Sequence, residues 1–274
     1  MRVKQTILFL FLSLANPILL AQEVDFQETI KKLITLSDSV VNGYNDSTRI
    51  HSNNQFRNIL SKSINQRKSY LSDFSDVEIL SILQPKDRRF KLFTWFLPKK
   101  NGTFQYFGMI QKCKKNGKKC TTYWLEQSSK LNNNIQAEQL TTNNWYGCLY
   151  YEIIPIKINN DTYYTLLGWD GHNSKTTKKI IDVLTIPKID KPLFGANIFN
   201  NNKYRIIIEY ASQYPISLRY DNNLDYIVFD HVEPIDGISM NNFSLYATNL
   251  SYDILKRTQF GWQLEENIYL NNLK

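Results

Sequence analysis

The sequence predicts a mainly β protein with N-terminal helices (α+β), in which an antiparallel β meander forms a sandwich, a barrel or a propeller-like domain. Three observations indicate this class: a short apolar leader, a helical apolar period after it, and a series of β-branched and aromatic runs joined by tight turns. No periodic helix separates the runs, so parallel βαβ units are disfavoured. The expected divisions are a signal at 1–21, a helical segment at 22–75 and a β domain at 76–274.

The first 21 residues have the layout of a cleaved secretory signal. Arg2 and Lys4 give a positive start, residues 7–14 are apolar but for one serine, and Ala21 places a small residue before Gln22. The apolar stretch is too short for a convincing membrane span, and no later stretch reaches that length, so no transmembrane segment is expected. We therefore expect cleavage after Ala21 and an exported, soluble protein, periplasmic or secreted.

The composition fits a folded domain with a basic surface. Of 274 residues, 42% are hydrophobic and 14% aromatic, and the formal net charge is +8 at pH 7. These values exclude a disordered profile, and the positive charge permits an anionic partner such as an envelope component or a glycan. No nucleic-acid-binding motif is visible, so we expect no nucleic acid partner. No motif predicts a cofactor.

Two apolar stripes at helical spacing follow the leader. The first runs from Phe26 to Val41, and Asn42-Gly43 can end that helix. A polar stretch, 45–54, is expected to connect it to a second stripe that runs from Phe56 to Ile64. Such stripes are more often core than partner surface, so the sequence predicts a helical hairpin packed on the β domain.

Strand-like runs begin at Ile79, where the apolar period changes. Several of them, such as 91–97 and 163–167, are apolar on both faces, which is typical of strands between two layers. The expected strands are 79–83, 90–97, 104–111, 121–125, 146–158, 163–169, 179–186, 194–199, 204–210, 216–220, 225–231, 243–246 and 260–264.

Two of the three cysteines flank a hairpin signal. Asn116-Gly117 is the strongest two-residue turn dipeptide, and folding about it places Cys113 opposite Cys120. The sequence predicts a disulfide between them, at a hydrogen-bonded site with a Cα separation of about 5.5 Å. Reduced thiols or a metal pair are the alternatives, and metal is disfavoured because no histidine lies nearby. Cys148 is left over and is expected to be a buried structural thiol.

A simple meander of the first strands brings two basic turns to one end of the sheet. This basic edge is either a contact for an anionic partner or ordinary protection of hairpin tips by lysine. The ordinary interpretation is favoured. The residues are Arg88, Arg89, Lys112, Lys114, Lys115, Lys118 and Lys119.

Two loops at strand ends contain the candidate ligand-binding side chains, which are Trp169, Asp170, His172, Asp230 and His231. An Asp and a His in each loop can ligate a metal or act as an acid–base pair. Neither loop matches a known ligand spacing, and Asp at a strand end commonly caps a turn, so we assign no catalytic residue and no metal ligand. Trp169 lies at a strand end and is the tryptophan that best fits a sugar-stacking role.

Five blocks between residues 84 and 262 resemble a group of uncharacterised secreted proteins of Bacteroidota-type bacteria. The resemblance implies an exported protein and no particular activity, and it leaves out the helical N-terminus. The blocks are Tyr106–Gln111, Trp145–Tyr151, Tyr164–Gly171, Lys179–Leu184 and Val228–His231.

The sequence therefore indicates an exported, non-catalytic binding or envelope-associated module. The alternative is a secreted hydrolase or metal-binding enzyme that uses Asp170, His172, Asp230 and His231. Convergence of the two Asp/His loops on one pocket would favour the enzyme.

Overall fold

The structure, a computed structural model, describes residues 17–66, 69–113, 120–129, 134–200 and 202–269. Within these ranges two helices precede fourteen strands, so the fold class expected from the sequence is confirmed. The helices are α1 (Pro17–Asn42) and α2 (Asp46–Ile64). The strands are β1 (Ser81–Leu83), β2 (Phe90–Pro98), β3 (Phe104–Cys113), β4 (Cys120–Leu125), β5 (Leu140–Thr141), β6 (Leu149–Ile158), β7 (Asp161–Asp170), β8 (Thr176–Thr185), β9 (Leu193–Phe194), β10 (Ile206–Ala211), β11 (Leu218–Asp221), β12 (Tyr226–Pro234), β13 (Tyr246–Thr258) and β14 (Gly261–Ile268).

Antiparallel pairing organises the described strands into three sheets. The first sheet has the order β1-β2-β3-β4, the middle sheet β5-β9-β8-β7-β6 with β10 also paired to β8, and the third sheet β11-β12-β13-β14. None of these sheets closes into a barrel over the described residues. Of the three architectures left open by the sequence, the sandwich is the one that the described strands form.

Three apolar cores separate four layers: the helices, the first sheet, the middle sheet and the third sheet. Neighbouring positions in one strand face different cores, because side chains alternate across a sheet. On β2, Trp95 packs with the helices while Leu92 packs with the middle sheet. On β8, Ile180 faces the first sheet while Ile181 faces the third. The strands with two apolar faces are therefore those between layers, as the sequence predicted.

The second helix is longer than its apolar stripe indicated. The stretch 45–54, expected to connect the helices, is instead the N-terminal cap and the first half of α2. The Asn45 side chain caps the helix by accepting the Thr48 N–H (2.8 Å). On the buried face a polar residue replaces an apolar one, since Asn53 Oδ1 accepts a hydrogen bond from Trp95 Nε1 (2.8 Å). Because this buried position holds a polar residue, the apolar pattern did not extend to the first half of α2.

Two strand predictions were wrong in their bounds. The expected strand 243–246 is a 3₁₀ turn (Phe243–Leu245) followed by β13, which the sequence pattern missed. The buried positions of β13 include Ser251 and Asp253, so the strand lacks the apolar alternation on which the prediction depended. The expected strand 194–199 is reduced to the two residues of β9.

The cysteine pairing agrees with the expectation, but its position in the ladder does not. Cys113 and Cys120 are paired across β3 and β4 as a disulfide, with Cα atoms 4.1 Å apart. The Cys113 N–H points the other way, to the Arg89 carbonyl (3.3 Å), so the pair occupies a non-hydrogen-bonded site rather than the expected hydrogen-bonded one. The Asn116-Gly117 turn lies outside the described residues. Cys148 is free and buried, and burial raises the pKa of its thiol.

None of the helices in the described ranges is long and apolar enough to cross a membrane. Residues 1–16 of the expected signal lie outside those ranges. The described part of α1 continues through the Ala21–Gln22 junction.

Candidate functional site

Trp169 lies in an aromatic cluster rather than on an open surface. Its ring packs edge-on against Phe96 and Phe104, with centroid distances of 5.7 Å and 5.3 Å. The indole is partly buried between the first sheet, which supplies the two phenylalanines, and the middle sheet, to which Trp169 belongs. This packing occupies the apolar surface that a stacked sugar would need.

Asp170 holds the turn that follows β7. Its buried carboxylate accepts the backbone N–H of His172 at Oδ1 (2.9 Å) and the hydroxyl of Tyr146 at Oδ2 (3.3 Å). His172 has a positive φ of 51°, a conformation that side chains with a Cβ rarely adopt, and the Asp170 bond stabilises it. The carboxylate thus acts in the turn as a cap.

His172 belongs to a compact charge cluster at the start of β8. Its Nδ1 lies 2.7 Å from Thr176 Oγ1 and 3.3 Å from Glu209 Oε1, while its Nε2 lies 3.2 Å from Lys178 Nζ. Lys178 Nζ also pairs with Glu209 Oε2 at 3.3 Å. Burial alone would raise the pKa of Glu209, but hydrogen bonds from His172 and Thr176 and the charge of Lys178 outweigh it and lower the pKa to about 2. Both ring nitrogens of His172 therefore already have protein partners.

The second Asp/His loop has partners of its own in the third sheet. Asp230 Oδ2 accepts the Ser217 N–H (2.7 Å), which ties β12 to the start of β11. His231 Nδ1 lies 2.7 Å from Asp253 Oδ1 on β13, and the same oxygen accepts the Asn267 N–H (2.9 Å). A β-bulge between Asp230 and Val232 aims the histidine at this carboxylate.

The two candidate histidines belong to separate pairs, each with a carboxylate that is not among the four candidate acid–base residues. His172 pairs with Glu209 on β10, and His231 pairs with Asp253 on β13. Over the part of the chain that the structure describes, no group of three or more His, Cys, Asp or Glu side chains is placed to hold a metal ion.

Two of the described residues of the basic edge, Arg89 and Lys112, also have internal partners. Arg89 Nη2 donates to the Ile186 carbonyl (3.1 Å), and Lys112 Nζ donates to the carbonyls of Pro187 and Lys188. These two cations therefore hold the loop that follows β8 against the first sheet. The four lysines of the cysteine hairpin lie outside the described residues.

A cleft lies at the β13–β14 turn, and none of the predicted site residues lines it. We call it the Phe260 cleft; it has a volume of about 470 Å³ and is lined by residues 197–200, 258–260, 262 and 263. The Phe260 ring is 76% exposed beside it. Asn, Gln, Thr and apolar side chains line the cleft, and none of the described lining residues is charged.

A rigid turn presents Phe260 to solvent. The Trp262 N–H donates to the Ile198 carbonyl (2.7 Å), and the Phe260 N–H donates to Thr258 Oγ1 (3.2 Å). Gly261 has φ 136° and approaches the Ile198 carbonyl so closely that an added Cβ would lie 2.0 Å from the oxygen. Only glycine permits this approach, so the turn packs against the segment that contains Ile198. The backbone that carries Phe260 is therefore anchored on both sides of the ring.

Amide side chains surround the exposed ring. Among the described residues, those of Asn197, Gln259 and Gln263 have no hydrogen-bond partner, while Asn200 Oδ1 accepts the Leu264 N–H (3.1 Å). Each free amide offers two donors and one acceptor oxygen to a ligand. An apolar ring face beside free amides can bind a molecule that has both C–H faces and hydroxyl groups.

The sequence does carry a signal for this cleft. Phe260 precedes a glycine and has Gln259 and Gln263 close to it, so a bulky aromatic stands in a turn among amides. Because a strand was expected at 260–264, Phe260 was interpreted as its first residue and not as an exposed turn residue.

Comparison of the chain with protein-family models, with curated proteins and with solved structures finds no match.

Proposed function

We propose that this protein is an exported, non-catalytic binding protein that holds a neutral glycan in the Phe260 cleft. The observation that carries the proposal is the solvent-exposed Phe260 ring on a rigid turn, beside three amide side chains without partners.

The chemistry of a sugar ring matches that of the cleft. The C–H face of a pyranose is apolar and stacks on an aromatic ring, while its hydroxyl groups exchange hydrogen bonds with amides. A cleft of about 470 Å³ lies within the range of small-ligand sites, roughly 300–1,000 Å³. Because no charged side chain lines the described cleft, the proposed ligand is neutral.

The alternative proposal is a secreted hydrolase that uses Asp170, His172, Asp230 and His231. It needs a histidine nitrogen directed at a substrate and a carboxylate shared between the two loops. His172 has partners at both ring nitrogens, and the histidines pair with carboxylates on different strands. We therefore favour the binding protein.

A glycan array probed with the mature protein tests the proposal. We expect neutral oligosaccharides to give signals that Phe260→Ala abolishes, because the substitution removes the aromatic ring on which the sugar stacks. Ile238→Ala is the matched control, since Ile238 is another exposed apolar side chain outside the cleft. Equal loss of signal in both variants, or no neutral signal at all, would reject the glycan site.

Export is proposed on the leader at residues 1–21 and on the cysteine pair, since disulfides persist in oxidising compartments. Mass analysis of the protein from its native compartment should give an N-terminus at Gln22. Recovery of the chain with Met1 still attached would contradict export by cleavage.

A further inference from the structure

A second cleft lies between helix α2 and the edge strand β4, far along the chain from the Phe260 cleft. We call it the Arg57 cleft; it has a volume of about 430 Å³. Four residues of α2 and one tryptophan of β4 line it: Asn54, Arg57, Asn58, Ser61 and Trp124. Arg57, Asn58 and Ser61 lie three, four and seven residues after Asn54, so the four residues share one face of α2.

The guanidinium of Arg57 lies against two aromatic rings. Its Cζ lies 4.9 Å from the centre of the Trp124 ring and 5.3 Å from that of Phe107, and the side chain is partly buried. Burial lowers the pKa of the guanidinium, and the charge of Glu126 raises it in part. Among the described residues Arg57 has neither a hydrogen-bond partner nor an ion-pair partner. Rings that support a guanidinium leave its N–H edge available for a carboxylate.

The other polar side chains of the Arg57 cleft are also without partners. Within the described ranges, no hydrogen bond joins the side chains of Asn54, Asn58 or Ser61 to any other group. Their amides and hydroxyl lie on the same helix face as the guanidinium, opposite the Trp124 ring. The arrangement offers one charged guanidinium fork, supported by the Trp124 ring, and several neutral hydrogen-bonding groups.

We propose that the Arg57 cleft binds an acidic sugar of the uronate class, with its carboxylate on Arg57 and its ring over the helix face that Asn54 and Asn58 share. A carboxylate matches a single guanidinium in charge and accepts two parallel N–H bonds from it. The amides of Asn54 and Asn58 bind the ring hydroxyls. The site is separate from the Phe260 cleft and does not depend on it.

The carboxylate of Glu126 favours a ligand with a single negative charge over one with two. Its carboxylate acts on Arg57 through space and does not form an ion pair with it, so it repels an anionic ligand at the same guanidinium. A singly charged ligand meets less repulsion than a doubly charged phosphate. Neutralising this carboxylate should therefore strengthen binding of the acidic sugar and leave a neutral sugar unaffected.

Titration calorimetry or NMR titration of the mature protein tests the site with three probes. Glucuronate carries the ring and the charge, glucose the ring alone, and acetate the charge alone. We expect glucuronate to bind and the other two to bind at least about tenfold more weakly, since charge-assisted hydrogen bonds to Arg57 and hydrogen bonds to the ring hydroxyls both contribute. Acetate that binds as tightly as glucuronate would mean an adventitious ion only and would overturn the sugar assignment.

Four variants separate the site from the fold. Arg57→Gln should weaken glucuronate binding by about tenfold or more, and Glu126→Gln should tighten it. Asn58→Ala should weaken it while preserving the helix, because alanine favours helix and Asn58 is exposed. Gln55→Ala, an exposed amide on the same helix outside the cleft, is the matched control and should change nothing. Binding that survives both Arg57→Gln and Asn58→Ala, or that falls equally in Gln55→Ala, would overturn the proposal.

Discussion

Arg205 and Arg57 are both withdrawn from bulk water, and they differ in what their guanidinium groups contact. Arg205 is fully buried, pairs with Asp182 through Nε (3.2 Å), and donates three further hydrogen bonds to the carbonyls of Ile135, Glu138 and Phe194. Arg57 lies against two aromatic rings and has no acceptor among the described residues. Buried polar groups in proteins are normally satisfied. Arg205 is therefore part of the framework, and Arg57 is the cation on which the proposed acidic-sugar site depends.

The same contrast separates the predicted loop residues from the Phe260 cleft. Asp170 and His172 are surrounded by protein partners, while Gln259 and Gln263 have none among the described residues. Aromatic rings follow this division, because Trp169 is packed and Phe260 is exposed. Residue type alone does not show which polar groups the fold already uses, whereas their hydrogen-bond partners do.

The largest expected effect is the loss of Arg205. Arg205→Met leaves the Asp182 carboxylate buried without its cation, which costs about 3–5 kcal/mol of unfolding free energy. Arg57→Gln should cost less than about 1 kcal/mol, because it breaks no hydrogen bond. Urea denaturation of both variants checks the contrast. Equal destabilisation by the two substitutions would contradict the distinction between framework and ligand groups.

The disulfide should have a smaller effect. Replacing Cys113 and Cys120 by serine opens a short loop and should lower the unfolding free energy by about 2 kcal/mol. The Arg57 and Phe260 clefts should keep their ligands, since neither is lined by these residues. Peptide mapping without reduction should recover a linked Cys113–Cys120 pair, and a bridge that contains Cys148 would refute the pairing.

The cluster around Glu209 predicts that the free energy of unfolding decreases modestly at low pH. The pKa of Glu209 is about 2 in the folded protein, below its ordinary 4.5, so the unfolded chain binds more protons between these values. Its contribution is therefore complete above about pH 4.5 and is lost as the pH falls toward 2. Allowing for solvent screening, we expect about 1–2 kcal/mol. Glu209→Gln should flatten this part of the stability profile; an unchanged acid slope would mean that the carboxylate is not stabilised by the fold.

The layers were predictable from the sequence, and the two clefts of the proposed binding sites were not. Apolar periodicity reports burial, so it identified both helices and most strands, including those with two apolar faces such as β2. It missed β13, where buried Ser251 and Asp253 interrupt the alternation, and the first half of α2, where Asn53 replaces an apolar residue. The sequence does not show which partner a buried polar side chain has in the fold.

The same limit explains the choice of site residues. Asp and His at strand ends are common in metal-binding and acid–base sites, and they were candidate residues for that reason. Their partners, Glu209 and Asp253, are distant in sequence and become visible only when β8 meets β10 and β12 meets β13. Phe260 is exposed because Gly261 fixes the turn against Ile198, a contact that no local pattern indicates.

The most direct test of the central claim is an NMR titration that follows side-chain amide signals. The ligand is the neutral oligosaccharide with the strongest array signal, added to the mature protein. We expect the side-chain NH₂ resonances of Asn197, Gln259 and Gln263 to shift together, because these amides are the free groups around Phe260. Shifts confined to the surroundings of Trp169 and His172 would contradict the claim that unpartnered polar groups, rather than partnered ones, mark the binding site.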